Sequence, residues 1–262
     1  MARIVAISNQ KGGVGKTTTA INLGAALATH GQRVLLVDMD PQGNASSGLG
    51  CPRTHATMGI YDVLMEFREL DSVRVPTSVD RMELIPATRD LAGAAIELSE
   101  ERHRDRRLRR ALNRVRDDYD WILVDCPPTL NLLTVNALVA ADGVLIPLQA
   151  EYYAMEGLGE LLRTVSAVRK SLNPDLEREG IVITMTDTRT NLCREVEAQA
   201  RHLFGEEVFE TVIPRNVRLG EAPSHGKAIV HYDPQSTGAR AHLALAAEMI
   251  ARRSPSRHEE AV

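Results

Sequence analysis

Between residues 11 and 18 the chain reads Lys11-Gly12-Gly13-Val14-Gly15-Lys16-Thr17-Thr18, directly after a short apolar run. Glycines let backbone N–H groups close on an anion, and a helix beginning at the end of such a loop adds favourable partial positive charge. The chemistry this points to is phosphate binding. Backbone N–H groups from Gly12 to Thr18 form the cradle, Lys16 is placed for β- and γ-phosphates, and Thr17 for Mg²⁺. The spacing departs from the common phosphate loop in one respect. The first glycine of that pattern would fall where Gln10 stands, and Lys11 adds a second lysine.

Two acidic sites accompany the loop. Val34-Leu-Leu-Val-Asp38-Met-Asp40-Pro41-Gln42-Gly43 ends an apolar run with two carboxylates, and Trp121-Ile-Leu-Val-Asp125-Cys126-Pro127-Pro128 ends another with one. A lone aspartate at a strand end is ordinarily a turn or cap residue. Two such sites beside a phosphate loop point instead to metal-assisted phosphoryl chemistry. Asp125 then holds Mg²⁺ directly or through water, and Asp38 supports the metal shell. Asp40 lies two residues further out, in the loop, and is assigned to positioning or activating the attacking water.

These groups need a scaffold that gathers strand ends. Ile4–Ile7, Val34–Val37, Met82–Ile85, Ile122–Val124, Val144–Leu148 and Ile181–Met185 are apolar on consecutive positions, as strands buried on both faces of a parallel sheet are. Helical patterns lie between and beyond them at Thr17–Thr29, Asn131–Ala141, Glu156–Leu172 and Arg194–Phe204. The alternation predicts an α/β fold: a doubly wound, mostly parallel sheet flanked by helices, with right-handed crossovers and ligands beyond the carboxyl ends of the strands. Residues 1–253 are expected to form one domain and 254–262 a frayed tail.

Composition narrows the class. The chain has 262 residues, 44% of them hydrophobic, only 3% aromatic, and a net charge of −4. The core must therefore be built from Ala, Val, Leu and Ile, and any nucleic-acid contact must come from a local patch. No apolar run approaches the roughly 18 residues of a membrane span, and Met1-Ala2-Arg3 leads straight into a strand, so neither span nor signal peptide is expected. Cys51, Cys126 and Cys193 are scattered without a CxxC pair, which fits a reducing cytoplasm and argues against a metal–thiolate or iron–sulfur site.

KGGVGKTTTAINL, VLLVDMDPQGN, DCPP, EYYAMEG at Glu151–Gly157 and VIPRNVRLGEAPSHGK at Val212–Lys227 together resemble the ParA/Soj partition ATPases, a branch of the deviant Walker A (MinD/ParA) superfamily. The likeness runs from Arg3 to about Ala251. It implies a P-loop ATPase using ATP and Mg²⁺, in which Lys11 reaches across a homodimer to the partner's nucleotide. It implies that Gly12 lies against that interface with no room for a side chain, and that Pro214 and Asn216 contact adenine. It implies further that Arg189 and Arg218 bind non-specific double-stranded DNA on the assembled dimer. A ParB-like centromere-binding protein would stimulate an otherwise slow hydrolysis, and the protein would be cytoplasmic and nucleoid-associated. Specific operator binding is not expected, because no helix-turn-helix precedes the first strand.

Rivals share the two-lysine loop. A MinD-like membrane-associated positioning ATPase ends in an insertable amphipathic helix, whereas Ile250–Val262 is polar and carries Pro255. An iron–sulfur reductase needs cluster cysteines, and Cys126 reads as a small residue at a strand end. A biosynthetic ligase or synthetase would not need Arg189, Arg218 or the EYYAMEG segment. Arg102–Arg116 holds eight arginines against Asp105, with Leu108, Ala111, Leu112 and Val115 at helical spacing, and reads as a solvated surface helix in preference to a DNA patch.

Overall fold

Strands that are apolar on every position can bury both faces, and here they do. In the computed structural model, which describes residues 1–52, 54, 56–151, 154–187 and 189–253, the strands are β1 (Arg3–Ile7), β2 (Val34–Asp38), β3 (Val75–Pro76), β4 (Met82–Ile85), β5 (Trp121–Asp125), β6 (Gly143–Gln149), β7 (Glu177–Thr186) and β8 (Ile213–Pro214). They form one sheet in the order β3-β4-β2-β5-β1-β6-β7-β8. All neighbours are parallel except β3 with β4. The helices in chain order are α1 (Lys16–Thr29), α2 (Asn44–Gly48), α3 (Ile60–Leu64), α4 (Leu91–Glu97), α5 (Arg107–Val115), α6 (Leu132–Ala140), α7 (Ala154–Ser171), α8 (Asn191–Phe204), α9 (Val217–Glu221), α10 (Ile229–Tyr232) and α11 (Thr237–Arg253).

Side-chain alternation divides the core between the two faces. Ile4, Ala6, Leu35, Val37, Ile122 and Val124 pack with α3 to α8 on one face. Val5, Ile7, Val34, Leu36, Trp121 and Leu123 pack with α1, α2 and α9 to α11 on the other. The connection through α1 leaves β1 for β2 on one side, and the connection through α6 carries β5 across β1 to β6 on the other. The crevice of a doubly wound sheet therefore opens at the carboxyl ends of β1 and β5, where the phosphate loop and Asp125 stand.

The expected strands are all present, β7 beginning earlier than its apolar stretch. Strands β3 and β8 were not anticipated, because two-residue edge strands carry no periodicity. Helix α11 was also missed, its alanine-rich pattern lacking a strong apolar stripe. The stretch 102–116 is helical only over Arg107–Val115, with Leu108, Leu112 and Val115 buried. Its charges are largely matched: Arg107 bridges Glu66 at 2.7 Å and Glu101 at 2.9 Å, Arg114 meets Glu69, and Arg116 meets Asp142. The expected tail, 254–262, lies outside the described residues.

One polar side chain sits inside the α1/α11 layer. His242 of α11 is wholly buried and its Nδ1 donates to the Gly238 carbonyl at 2.8 Å, leaving Nε2 without a partner. Burial pushes this imidazole down to about 4, the hydrogen bond to Gly238 opposing. The folded state therefore prefers the neutral ring, so its stabilisation is complete above the unfolded value near 6.5 and is lost as pH falls toward 4. Urea unfolding at pH 7.5 and pH 5 should show an acid loss of up to about 2 kcal/mol from His242 in the wild type. That loss should be smaller in His242→Leu, and equal slopes in the two proteins would remove His242 from the account.

Candidate functional site

The loop between β1 and α1 takes its shape from its glycines. Gly13 and Gly15 have φ of +78° and +89°, the left-handed region that other residues enter at a cost. The first turn of α1 has no acidic residue and its N-cap, Gly15, offers no side-chain bond, so its N–H groups remain free for an anion. Buried bonds anchor the loop to the sheet. Asn9 Nδ2 donates to the Pro147 carbonyl at 2.7 Å, Asn9 Oδ1 accepts from Lys11 N at 3.0 Å, and Thr184 Oγ1 donates to the Val14 carbonyl at 2.9 Å.

The two lysines part company. Lys16 is only 7% exposed, and its ammonium donates to the Lys11 carbonyl at 3.1 Å across the loop. Burial lowers the Lys16 pKa, while Asp125, Cys126 and Asp40 act the other way. The Lys11 ammonium instead binds Glu151 Oε2 at 2.6 Å, on the turn between β6 and α7. Gly12 beside it is open: a Cβ there would meet nothing within 4 Å, so the expected lack of room does not exist within a single chain.

Register brings the acids together, with Asp38 of β2 directly beside Asp125 of β5. Asp38 is fully buried and accepts from Ser46 Oγ at 2.6 Å, Ser46 N at 2.8 Å and Asp40 N at 3.2 Å. Burial pushes it up to about 6 against these bonds, and the Asp40 charge adds to the rise. Both Asp125 oxygens are buried without a hydrogen-bond partner. Burial and then the Asp38 charge hold Asp125 well above the usual carboxylate range, the Thr17 hydroxyl and Lys16 opposing and the Asp40 charge adding to the rise. Asp40, 8% exposed, accepts from Gln42 N at 2.9 Å and joins Gly13, Lys16, Thr17, Gln42 and Pro128 around a cavity over the loop.

An orphaned buried carboxyl beside a threonine hydroxyl and an open cradle of N–H groups fits a phosphate-bound Mg²⁺. No group of three or more His, Cys, Asp or Glu residues among the described residues could hold an ion alone. That agrees with Mg²⁺, which binds through one or two carboxylates together with substrate phosphates and water. Asp38, its oxygens engaged by Ser46 and Asp40, can serve such a site only at one remove.

A second cavity continues from the first, sharing Gly15, Thr18 and Met185 and extending to Ile213, Pro214 and Asn216. Pro214 and Asn216 thus reach the loop from the far end of the chain. The Asn216 amide is already engaged: Oδ1 accepts from Arg218 N at 2.8 Å, capping α9, and Nδ2 donates to Thr237 Oγ1 at 2.7 Å. Met185, at the junction, holds a positive φ of 53° that a non-glycine residue adopts under constraint. Arg189 is 87% exposed and pairs with Asp187 at 2.6 Å, which its guanidinium holds down to about 2. Arg218 pairs with Glu221 at 2.7 Å and with Asp233 at 3.5 Å. Asn9, Ser46, Thr184 and Met185 had no motif to mark them, and Tyr152 and Tyr153 of the EYYAMEG segment lie outside the described residues.

A buried carboxyl without a partner strains the nucleotide-free protein below its raised pKa least and above it most, because the unfolded chain ionises freely there. Asp125→Asn should therefore stabilise the nucleotide-free protein at pH 7.5 by about 1–2 kcal/mol. It should also lose the thermal upshift that nucleotide with Mg²⁺ gives the wild type. Thermal melts with and without Mg²⁺–nucleotide check both signs.

Known proteins match this arrangement along the whole chain. A family model described as an AAA domain matches residues 2–178. Soj of Bacillus subtilis, named a sporulation initiation inhibitor protein, is 55% identical over 96% of this chain and 99% of its own. The chromosome partitioning protein ParA of Myxococcus xanthus is 52% identical over 97% of this chain and 90% of its own. A solved structure from Mycobacterium smegmatis, named cobyrinic acid a,c-diamide synthase and holding ADP and magnesium, is 38% identical with a TM-score of 0.87 over 98% of this chain and 97% of that one. Identity above one half along nearly the full length of Soj and ParA, on a fold with the doubled lysine at its phosphate loop, shows that the chain belongs to the ParA/Soj family of partition ATPases.

Proposed function

We propose that this protein is an ATP-dependent DNA-segregation switch, with residues 1–253 as its single ATPase domain. The observation that carries the reading is the divergence of the two loop lysines: Lys16 closes over its own loop, and Lys11 holds its charge outside the cavity. A cation placed so is useless to its own nucleotide and available to a neighbour's. Two ATP-loaded chains face to face would each lend Lys11 to the other, making ATP the adhesive of a symmetric dimer. The open space at Gly12 is then where the partner's loop approaches.

Within each chain, the N–H groups of Gly12 to Thr18 cradle the phosphates, Lys16 neutralises the β/γ oxygens, and Pro214 and Asn216 wall the base. Thr17 and Asp125 would hold Mg²⁺, which would supply charge stabilisation for phosphoryl transfer. Asp40 orients the attacking water and takes its proton. Dimers bind nucleoid DNA through Arg189 and Arg218, which exchange their acidic partners for DNA phosphates. A ParB-like protein then stimulates hydrolysis, and ADP-bound monomers leave. The diamide synthase name of the structural neighbour suggests small-molecule chemistry, but more similar sequence relatives, ParA of Myxococcus xanthus among them, are named chromosome partitioning proteins. No helix among the described residues is long and apolar enough to cross a membrane.

Lys16→Ala should weaken ATP binding about 10- to 100-fold, the worth of a charged hydrogen bond. Lys11→Ala should keep nucleotide but stay monomeric. Asp40→Ala should slow hydrolysis about 100-fold or more and accumulate as a DNA-bound dimer. An Asp40→Ala protein that is monomeric with ATP would overturn that assignment.

ATP-dependent DNA binding, with and without a candidate ParB, tests the function itself. Four phosphate contacts per dimer should give log K against log salt a slope of roughly −3.6, reduced in Arg218→Ala. Charge reversal in Arg102–Arg116 should leave affinity nearly intact. DNA binding without salt dependence, or unchanged in Arg218→Ala, would overturn the arginine assignment, and flotation with anionic vesicles in place of DNA binding would favour the MinD-like alternative.

A further inference from the structure

The ion pair that keeps Lys11 out of the cavity has its own consequence. Glu151 is placed by the end of β6: its N–H donates to the Gln149 carbonyl at 2.8 Å, and Gln149 Nε2 donates to Glu151 Oε1. Its other oxygen takes the Lys11 ammonium. The preceding loop residue is tied to the same region, Gln10 Nε2 donating to Thr164 Oγ1 of α7 at 3.2 Å. Two consecutive residues of the phosphate loop are thus moored to the segment that follows β6.

We propose that Glu151 is a positioning residue that latches Lys11 within its own chain, so that each chain must open this pair before Lys11 can cross to a partner's nucleotide. The inference rests on the dimer reading given above. The pair suits a latch better than a structural bridge. Lys11 is 33% and Glu151 46% exposed, so water and salt screen the attraction and the bond exchanges readily. When Lys11 leaves, Glu151 keeps its Gln149 partner and its access to water, and no buried charge is stranded.

Exposed pairs of this kind are worth up to about fivefold in an equilibrium, and a dimer opens two of them, giving up to about 25-fold. The latch weakens dimerisation equally with any nucleotide. It therefore acts as a threshold: the attraction of Lys11 to a complete triphosphate exceeds it, and the attraction to a less charged ligand does not.

The test uses the full chain with Mg²⁺ and a non-hydrolysable ATP analogue, its dimer constant read by sedimentation equilibrium. Glu151→Gln should dimerise about 2- to 25-fold more tightly than wild type at low salt, with an unchanged melting temperature. The advantage should shrink as ionic strength rises toward about 1 M, where the wild-type latch is itself screened. With Lys11→Ala added, Glu151→Gln should leave the chain monomeric, as Lys11→Ala alone is. An unchanged or weakened dimer in stable Glu151→Gln, with wild type dimeric and Lys11→Ala monomeric, would overturn the latch and leave the dimer reading standing. Wild type that stays monomeric with the analogue would overturn both.

Discussion

Asp125 is a carboxyl buried at the end of β5 with neither oxygen hydrogen-bonded, one strand from Asp38 and near Lys16. Most proteins pair or expose such a group, because a buried polar atom without a partner costs of order 1–3 kcal/mol. Here the surrounding architecture is arranged to tolerate it. The sheet carries apolar side chains on both faces, β1 and β2 flank the acid, and the phosphate loop lies above it. On the proposed reading, the site is thereby preorganised for a cation and phosphate that complete it, at the expense of the nucleotide-free state.

Charge elsewhere follows a different rule. Lys11, Arg189 and Arg218 each hold an acidic partner at the surface, and Arg107, Arg110 and Arg114 of α5 are matched by Glu66, Glu69 and Glu101. Exposed pairs contribute little to stability and are readily exchanged. The contrast is functional on the proposed reading: Lys16 and the acids stay fixed where chemistry occurs, while the cations that would meet a second chain or DNA are held loosely and can change partner. The basic stretch 102–116 differs because Arg107 is only 7% exposed, so its pairs belong to the packing of α5 and are not free to be traded.

Much of this was legible beforehand. Consecutive apolar residues ending in Asp38 and Asp125 located β2 and β5, and the glycine spacing located the loop, because these depend on local backbone and burial requirements. Strands β3 and β8 were not legible, being two residues long and created by pairing with β4 and β7. Asn9, Ser46 and Thr184 were equally silent. Each is an ordinary polar residue whose role comes from a partner more than a hundred residues away or from the turn that brings it under Asp38.

By itself, then, the sequence determined the chemistry of the site: a phosphate cradle, one lysine more than usual, and acids at strand ends, all set by residue type and short-range spacing. Only the tertiary structure decided what each charge is doing. Strand register placed Asp38 against Asp125, the fold brought Pro214 and Asn216 beside Gly15 and Thr18, and Glu151 took Lys11 while Lys16 turned inward. Electrostatic roles depend on distance and burial, and those are properties of the folded chain that no local spacing contains.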